Sequence, residues 1–137
     1  KGVCLRTGDK KDGKLADATV IATGIMVNEA MLAAEELAAD GIEVRVIDMH
    51  TIKPLDADII YRAARETGAI VTAEEHSVID GLGSAVAEVT ATHYPVKMAM
   101  VGQQDTFGES GKPDELKAKY GMTAADIVRA VKLLIEA

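Results

Sequence analysis

Apolar and polar residues follow two different periods along this chain. Four short stretches rich in apolar residues, at residues 20–22, 42–49, 69–71 and 96–101, predict buried or half-buried strands, and the second alternates apolar with charged residues. Between and after these runs, apolar residues recur every third or fourth position, which predicts amphipathic helices. A strand followed by a helix, repeated four times, predicts an α/β fold with a largely parallel sheet and helices on both of its faces.

The predicted helices have recognisable starts and stops. Gly41 and Gly68 follow the first two helical segments, where a glycine commonly ends a helix. Asp56 can cap the second helix. Thr123 can cap the last one, with Asp126 three residues later in the position of a capping box.

The ends of the chain and its longest loop complete the predicted organisation. Residues 1–17 hold a short apolar stretch and then a polar run, which predicts an arm or edge strand outside a core of residues 18–137. A long glycine-punctuated loop is expected at 102–113, with a short helix at 114–119. We expect residues 1–137 to form a single domain.

The stretch AIVTAEEHSVIDGLG, residues 69–83, is the most informative part of the chain. It predicts a strand, a polar loop and the start of a helix. In a parallel sheet the loops beyond the carboxyl ends of the strands meet at one edge, where ligands and partners bind. The loop contributes a candidate set of contact residues: Glu74, Glu75, His76, Ser77 and Asp80.

Two interpretations of this loop compete. A carboxylate beside an imidazole can act as an acid/base pair. Adjacent residues on an extended chain point to opposite sides, so only Glu74 and His76 can share a face. We therefore favour a loop that is tied to the backbone or to a partner subunit, and we assign no catalytic residue.

The helix start after the loop is a candidate anion site, because the backbone N–H groups of Gly83 and Ser84 can receive a negative charge. Neither phosphate-binding motif is complete. Val86 stands where a dinucleotide fingerprint needs its third glycine, and Pro113 replaces the Ser or Thr of a phosphate loop. We assign no cofactor-binding residue.

Composition excludes several function classes. The 137 residues carry a net charge of −7 and only 3% aromatic residues, which disfavours nucleic acid and anionic membranes as partners. No apolar run approaches the roughly 20 residues of a membrane helix, so we expect a cytoplasmic protein. Cys4, the only cysteine, is expected to be a small apolar residue, and His50 and His93 lack metal-ligand spacing, so no metal site is predicted. Lys1 in place of Met suggests a fragment of a longer product.

Several stretches together resemble the carboxyl-terminal domain of transketolase. They are ATVIATGIMVNEAMLAAEELAADGIEVRVIDMHTIKPLD, AIVTAEEHSVIDGLGSAVAEV and DTFGESGKPDELKAKYGMTAADIVRAV, which span most of residues 18–130. The IKPLD, EEH and GLGSAV elements are shared in looser form by 2-oxo acid dehydrogenase beta subunits and deoxyxylulose phosphate synthase. The SGKP element at 110–113, followed by Glu115 and Leu116, favours transketolase.

The resemblance implies a three-layer α/β/α domain whose sheet is mixed, with one antiparallel strand near the amino end, either the run at Val3 or the strand at Val20. It also implies a parent enzyme that moves a two-carbon ketol unit between sugar phosphates with thiamine diphosphate and magnesium. That family holds the cofactor with a GDG motif and a downstream Asn on the first domain, and with a catalytic Glu on the middle domain. No GDG occurs in this sequence.

The expected role is therefore structural. The chain, alone inactive and without bound cofactor, is expected to pack on the remaining transketolase domains, of the same polypeptide or a separate subunit, and to help form a homodimer. Two alternatives stay open. One is the end of a 2-oxo acid dehydrogenase beta subunit or of deoxyxylulose phosphate synthase. The other is a free-standing α/β module that binds a small anion.

Overall fold

The computed structural model describes residues 1–50, 55–77, 81–103 and 123–137. The strands are β1 (Gly2–Arg6), β2 (Ala18–Ala22), β3 (Val44–Met49), β4 (Ala69–Ser77) and β5 (Lys97–Gln103). The helices are α1 (Met26–Ala39), α2 (Ala57–Thr67), α3 (Leu82–His93) and α4 (Ala124–Glu136). The expected short helix at 114–119 and most of the expected loop at 102–113 lie outside the described residues.

The five strands form one mixed sheet in the order β1-β3-β2-β4-β5. β2, β3, β4 and β5 are parallel, whereas β1 runs antiparallel to β3. The strand around Val3 is thus the antiparallel one, and the strand around Val20 is not. The hydrophobic pattern alone predicted no antiparallel strand, because a five-residue edge strand carries no signal of its direction.

Helices cover both faces of the sheet, which gives the three layers. Alternate residues of β2 show the division: Val20 packs in the cluster with α1 and α4, and Ile21 packs in the cluster with α2 and α3. Large side chains fill both clusters, among them Leu37 and Ile127 on the first side and Ile60 and Leu82 on the second. Each helix buries residues at helical spacing on the side that faces the sheet.

The predicted N-caps Asp56 and Thr123 are confirmed. The Asp56 carboxylate accepts a hydrogen bond from the backbone N–H of Ile59 at 3.3 Å. Thr123 and Asp126 form the reciprocal capping box, in which the Asp126 carboxylate accepts from the Thr123 N–H at 3.0 Å.

One boundary was wrong in a way that matters for function. The pattern predicted a strand that ends near Val71 and a polar loop from Glu74 onward, but β4 continues to Ser77. The pairing of β4 with β5 continues beyond Ala73 to Ser77, which lies opposite Gln103, and this pairing carries the polar residues into the sheet.

Candidate functional site

A buried carboxylate, that of Glu74, lies where β4 approaches the carboxyl edge of the sheet, which is the edge at which the parallel strands end. Glu74 is only 1% exposed to solvent. Its Oε1 accepts a hydrogen bond from the N–H of Leu82 at 2.8 Å, and its Oε2 accepts one from the N–H of Gly83 at 2.9 Å. The first N–H groups of a helix have no partner within the helix. Glu74 therefore supplies both the hydrogen bonds and the negative charge that the start of α3 favours.

Alternation along β4 explains why Glu74 points to α3. Ile70 packs in the cluster with α2 and α3, whereas Val71 and Ala73 pack in the cluster with α1 and α4. Even-numbered residues of β4 therefore face α3. A carboxylate on this buried face needs hydrogen-bond donors, and the first turn of α3 provides two of them.

Gly83 allows α3 to lie close to the sheet. A Cβ at this position would lie 2.7 Å from Sδ of Met100 and 2.9 Å from Oγ1 of Thr72. The Thr72 hydroxyl is buried and has no hydrogen-bond partner in the described part of the chain. Gly83 is thus required for the close packing of α3 on the sheet.

Glu75 points to the opposite face of the sheet. A Cβ placed on Gly24 would lie 2.7 Å from Oε1 of Glu75. Gly24 lies in the turn between β2 and α1 and has a φ of 57°. Glu74 and Glu75 therefore contact different turns of the same edge.

The starts of three helices are occupied by carboxylates of this chain. Asp56 binds the first turn of α2, and Glu74 binds that of α3. Glu29 accepts a hydrogen bond from the N–H of Ala124 at 3.0 Å, at the start of α4. An external anion at any of these helix starts would compete with a carboxylate that is already in place.

The structure thus changes the interpretation of two predicted groups. Glu74 is in a strand and faces the interior, so its side chain offers no surface to a partner. The N–H of Gly83, half of the candidate anion site with Ser84, is bonded to Glu74. Asp80 and the side chains of His76 and Ser77 lie outside the described residues, so their contact role stays a prediction.

The internal role of Glu74 was missed by the sequence analysis. The available signal was a glutamate in strand register eight residues before Leu82, the first residue of the helix that begins within the Gly-Leu-Gly sequence. That pattern shows its meaning only when β4 is known to extend beyond Val71.

The amino end of the chain also lies at the carboxyl edge. Antiparallel pairing places Gly2 opposite Met49, the last residue of β3. The Gly2 N–H donates to Oδ2 of Asp56 at 3.1 Å, and the same carboxylate caps α2. Any polypeptide that precedes Lys1 therefore joins the domain at this edge.

The remaining candidate groups carry little chemistry. No group of three or more His, Cys, Asp or Glu side chains among the described residues is arranged to hold a metal ion. A cleft of about 360 Å³ between β1, the arm and α2 includes Cys4 and Arg45, but the Arg45 guanidinium is paired with Glu66 at 2.8 Å. In the described ranges, no helix is long and apolar enough to cross a membrane.

Comparison with known proteins gives this architecture a family. The family model described as "Transketolase, C-terminal domain" matches residues 10–127. The chain belongs to the transketolase C-terminal domain family. The resemblance noted in the sequence is therefore confirmed.

Similar proteins include transketolase subunits and deoxyxylulose phosphate synthases. The chain is 54% identical over 120 residues to the 6-deoxy-6-sulfo-D-fructose transketolase subunit of a Clostridium species, covering 88% of this chain and 37% of that protein. It is 44% identical to a putative transketolase C-terminal section of Methanocaldococcus jannaschii, covering 84% of this chain and 36% of that protein. It is 42% identical to the 1-deoxy-D-xylulose-5-phosphate synthase of Desulforudis audaxviator, covering 93% of this chain and 19% of that protein.

A solved structure shares the fold closely. It is described as a split gene transketolase, inactive beta4 tetramer, and it matches with a TM-score of 0.90 and 48% sequence identity. The match covers 99% of this chain and 42% of that chain. The chain thus spans well under half the length of these relatives.

Proposed function

We propose that this chain is the non-catalytic carboxyl-terminal part of a thiamine-diphosphate-dependent transketolase. Residues 1–137 would act as one domain that packs on the remaining transketolase part and helps to assemble a homodimer. In this proposal the remaining part holds thiamine diphosphate and magnesium, and the cofactor supplies the nucleophilic carbon and the electron sink for transfer of a two-carbon ketol unit.

The occupied helix starts are the observation that carries the non-catalytic assignment. A diphosphate is commonly bound by free N–H groups at a helix start. Here Asp56, Glu74 and Glu29 already bind the N–H groups at the starts of α2, α3 and α4. These carboxylates would repel a diphosphate at the starts of α2, α3 and α4, so these three helix starts do not fit the cofactor.

The similar structure supports the assembly role. Its description as an inactive tetramer of one subunit type fits a piece that associates but needs a partner for turnover. We propose that His76, Ser77 and Asp80 contribute to such a contact. Substituting them would alter assembly more than the chemical step.

Cofactor binding provides the test. Thiamine diphosphate and magnesium are titrated calorimetrically into this chain alone, into the remaining transketolase part from the same genome, and into the mixture. We expect no saturable binding by this chain alone and binding by the mixture. Saturable binding by this chain alone would contradict the proposal.

The alternative functions make three different predictions. The deoxyxylulose phosphate synthase relatives favour the first alternative enzyme, which would form 1-deoxy-D-xylulose 5-phosphate in the reconstituted mixture. The end of a 2-oxo acid dehydrogenase beta subunit would bind an acyltransferase core protein in a pull-down. A small-anion-binding module would show a ligand-dependent rise in the melting temperature of this chain.

The donor sugar of the reconstituted enzyme is tested with two candidate substrates. Xylulose 5-phosphate is the general choice for a transketolase. The donor 6-deoxy-6-sulfo-D-fructose is added because a relative with 54% identity is named for it. A preference between the two donors would be set by the remaining part of the enzyme, where the reacting carbon is held.

A further inference from the structure

We infer that the cleft between β1, the arm and α2 binds a small zwitterion, namely an α-amino acid with an apolar side chain. The volume of the cleft, about 360 Å³, is that of a small-molecule site. Its described lining comes from β1, from the arm, from β3 and from one side of α2. The inference does not depend on the proposed function, because it concerns only residues of this chain.

Arg45 of β3 brings a nearly buried guanidinium to the cleft. Only 10% of its side chain is exposed, and its Nη1 lies 2.8 Å from Oε1 of Glu66. Its Nη2 is served less well. Among the described residues, the nearest acidic oxygen to Nη2 is Oδ1 of Asp9 at 4.0 Å, which is too far for a hydrogen bond. A buried donor is costly to leave unpaired, so Nη2 is suited to an oxygen of a ligand.

Asp9 decides which kind of ligand fits. A simple anion at Nη2 of Arg45 would also lie close to the Asp9 carboxylate and would be repelled by it. An α-amino acid carries a carboxylate and an ammonium group on one carbon atom. Its carboxylate can accept from Arg45 while its ammonium donates to Asp9, and charge-assisted hydrogen bonds of about 2.8 Å suit this arrangement.

The backbone of the arm is tied to the sheet, which fixes the position of Asp9. Gly8, the residue before it, has a φ of 69°, and a Cβ there would lie 2.6 Å from the carbonyl oxygen of Val44. At the end of the arm, the Asp17 carboxylate accepts from the N–H of Glu43 at 3.0 Å. The Asp17 N–H donates in return to the Glu43 carbonyl at 2.8 Å. A preformed site of this kind binds its ligand at a lower entropic cost.

The remaining walls of the cleft suit an apolar side chain. Leu15 of the arm lines it and is 43% exposed, and Ile59 of α2 lines it from the other side. Arg62, one helical turn after Ile59, adds a second guanidinium. The charged groups of the described lining are thus two guanidinium groups and two carboxylates. A zwitterion leaves this balance of charge unchanged, whereas a simple anion or cation would disturb it.

Binding is tested by NMR titration of the ¹⁵N-labelled chain with L-leucine and, as a larger apolar amino acid, L-phenylalanine. Two analogues of the tighter binder separate its charges: the N-acetyl derivative keeps only the carboxylate, and the amide keeps only the ammonium. We expect the amino acid to shift the backbone amide signals of Asp9, Leu15 and Arg45 saturably. We also expect it to bind at least tenfold more tightly than either analogue, because each analogue loses one charge-assisted hydrogen bond.

Three results of this titration would overturn the inference. Equal or tighter binding of the N-acetyl derivative would assign the cleft to a simple anion or to the carboxyl terminus of a peptide. Saturable shifts confined to amides outside the cleft would place the site elsewhere. Absence of saturation by both amino acids up to about 10 mM would leave the cleft without this ligand.

Two variants of the arm provide a matched comparison. Asp9→Asn and Asp12→Asn each remove one negative charge, but Asp12 is not among the described residues that line the cleft. The asparagine at position 12 can still accept the hydrogen bond from the Lys14 N–H. We expect Asp9→Asn to weaken amino acid binding at least tenfold and Asp12→Asn to bind within about twofold of wild type. Equal affinities of the two variants would overturn the role of Asp9.

Loss of the fold does not explain the expected loss of binding. The Asp9 side chain is 50% exposed, and its only described ion pair is the 4.0 Å contact with Arg45. An exposed charge of this kind contributes little to stability. Both variants should therefore unfold at the same temperature as the wild-type chain, which a thermal melt followed by circular dichroism checks.

Discussion

Replacing Glu74 should reveal how strongly a buried carboxylate stabilises the join between β4 and α3. The side chain accepts hydrogen bonds from two backbone N–H groups, those of Leu82 and Gly83, at 2.8 and 2.9 Å. Glutamine has a single carbonyl oxygen, and its NH₂ group would face the second N–H. Glu74→Gln therefore loses one charge-assisted bond, which contributes about 1.5–3 kcal/mol.

Truncation of the same side chain should cost more. Glu74→Ala leaves both N–H groups unpaired in the interior at about 1–3 kcal/mol each, which gives about 2–6 kcal/mol in all. That is a large part of the roughly 5–15 kcal/mol by which a typical domain is stable. Because a loss of that size can unfold the alanine variant outright, the measurement should use the glutamine variant.

The assay is urea-induced unfolding followed by circular dichroism, with linear extrapolation to water. Glu88→Gln is the matched control, because it removes the same charge from an exposed residue of α3. We expect the control to change the free energy of unfolding by less than about 0.5 kcal/mol. Equal free energies of unfolding for Glu74→Gln and Glu88→Gln would refute the reasoning.

Three further predictions concern the same edge of the sheet. Gly83→Ala should lower the free energy of unfolding by about 1–3 kcal/mol through overpacking against Met100. In a double-mutant cycle, Gly83→Ala should cost less free energy of unfolding when Met100 is already replaced by alanine. Equal costs in the two backgrounds would contradict the contact between residue 83 and Met100. Gly24→Ala should cost about 1–2 kcal/mol in a urea melt, because φ is 57° there; an unchanged midpoint would argue against the turn. Burial tends to raise the pKa of Asp126, but hydrogen bonds from Thr123 and the nearby Arg129 outweigh it and hold that pKa below its usual 3.8. The stabilisation by ionised Asp126 is present above the pKa of this carboxyl in the unfolded chain and is lost as pH falls through its pKa in the folded chain. The difference in unfolding free energy between wild type and Thr123→Ala should therefore shrink below pH 3.8, and a constant difference would refute this prediction.

The layers of the fold were predictable because they follow from local periodicity. Segments such as α2 carry a clear apolar stripe between an N-cap at Asp56 and a stop at Gly68, and both ends are where the sequence places them. The direction of β1 was not predictable from its own residues. It depends on pairing with β3, a strand about 40 residues away, and only the family resemblance indicated it.

The candidate site was predictable in place but not in chemistry. The alternation of strands and helices located the polar stretch at the carboxyl edge. Whether Glu74 faces a partner or the interior depends on how far β4 is extended by its neighbours, which is a tertiary effect.

The central claim is that this chain is a necessary but non-catalytic part of a transketolase. The most direct measurement is ketol transfer from xylulose 5-phosphate to ribose 5-phosphate, with thiamine diphosphate and magnesium present, while this chain is titrated into a fixed amount of the remaining transketolase part. The account predicts no turnover by this chain alone and a rate that rises and saturates at one chain per remaining part. Turnover by this chain alone, or a rate in the verified complex no higher than without the chain, would contradict it.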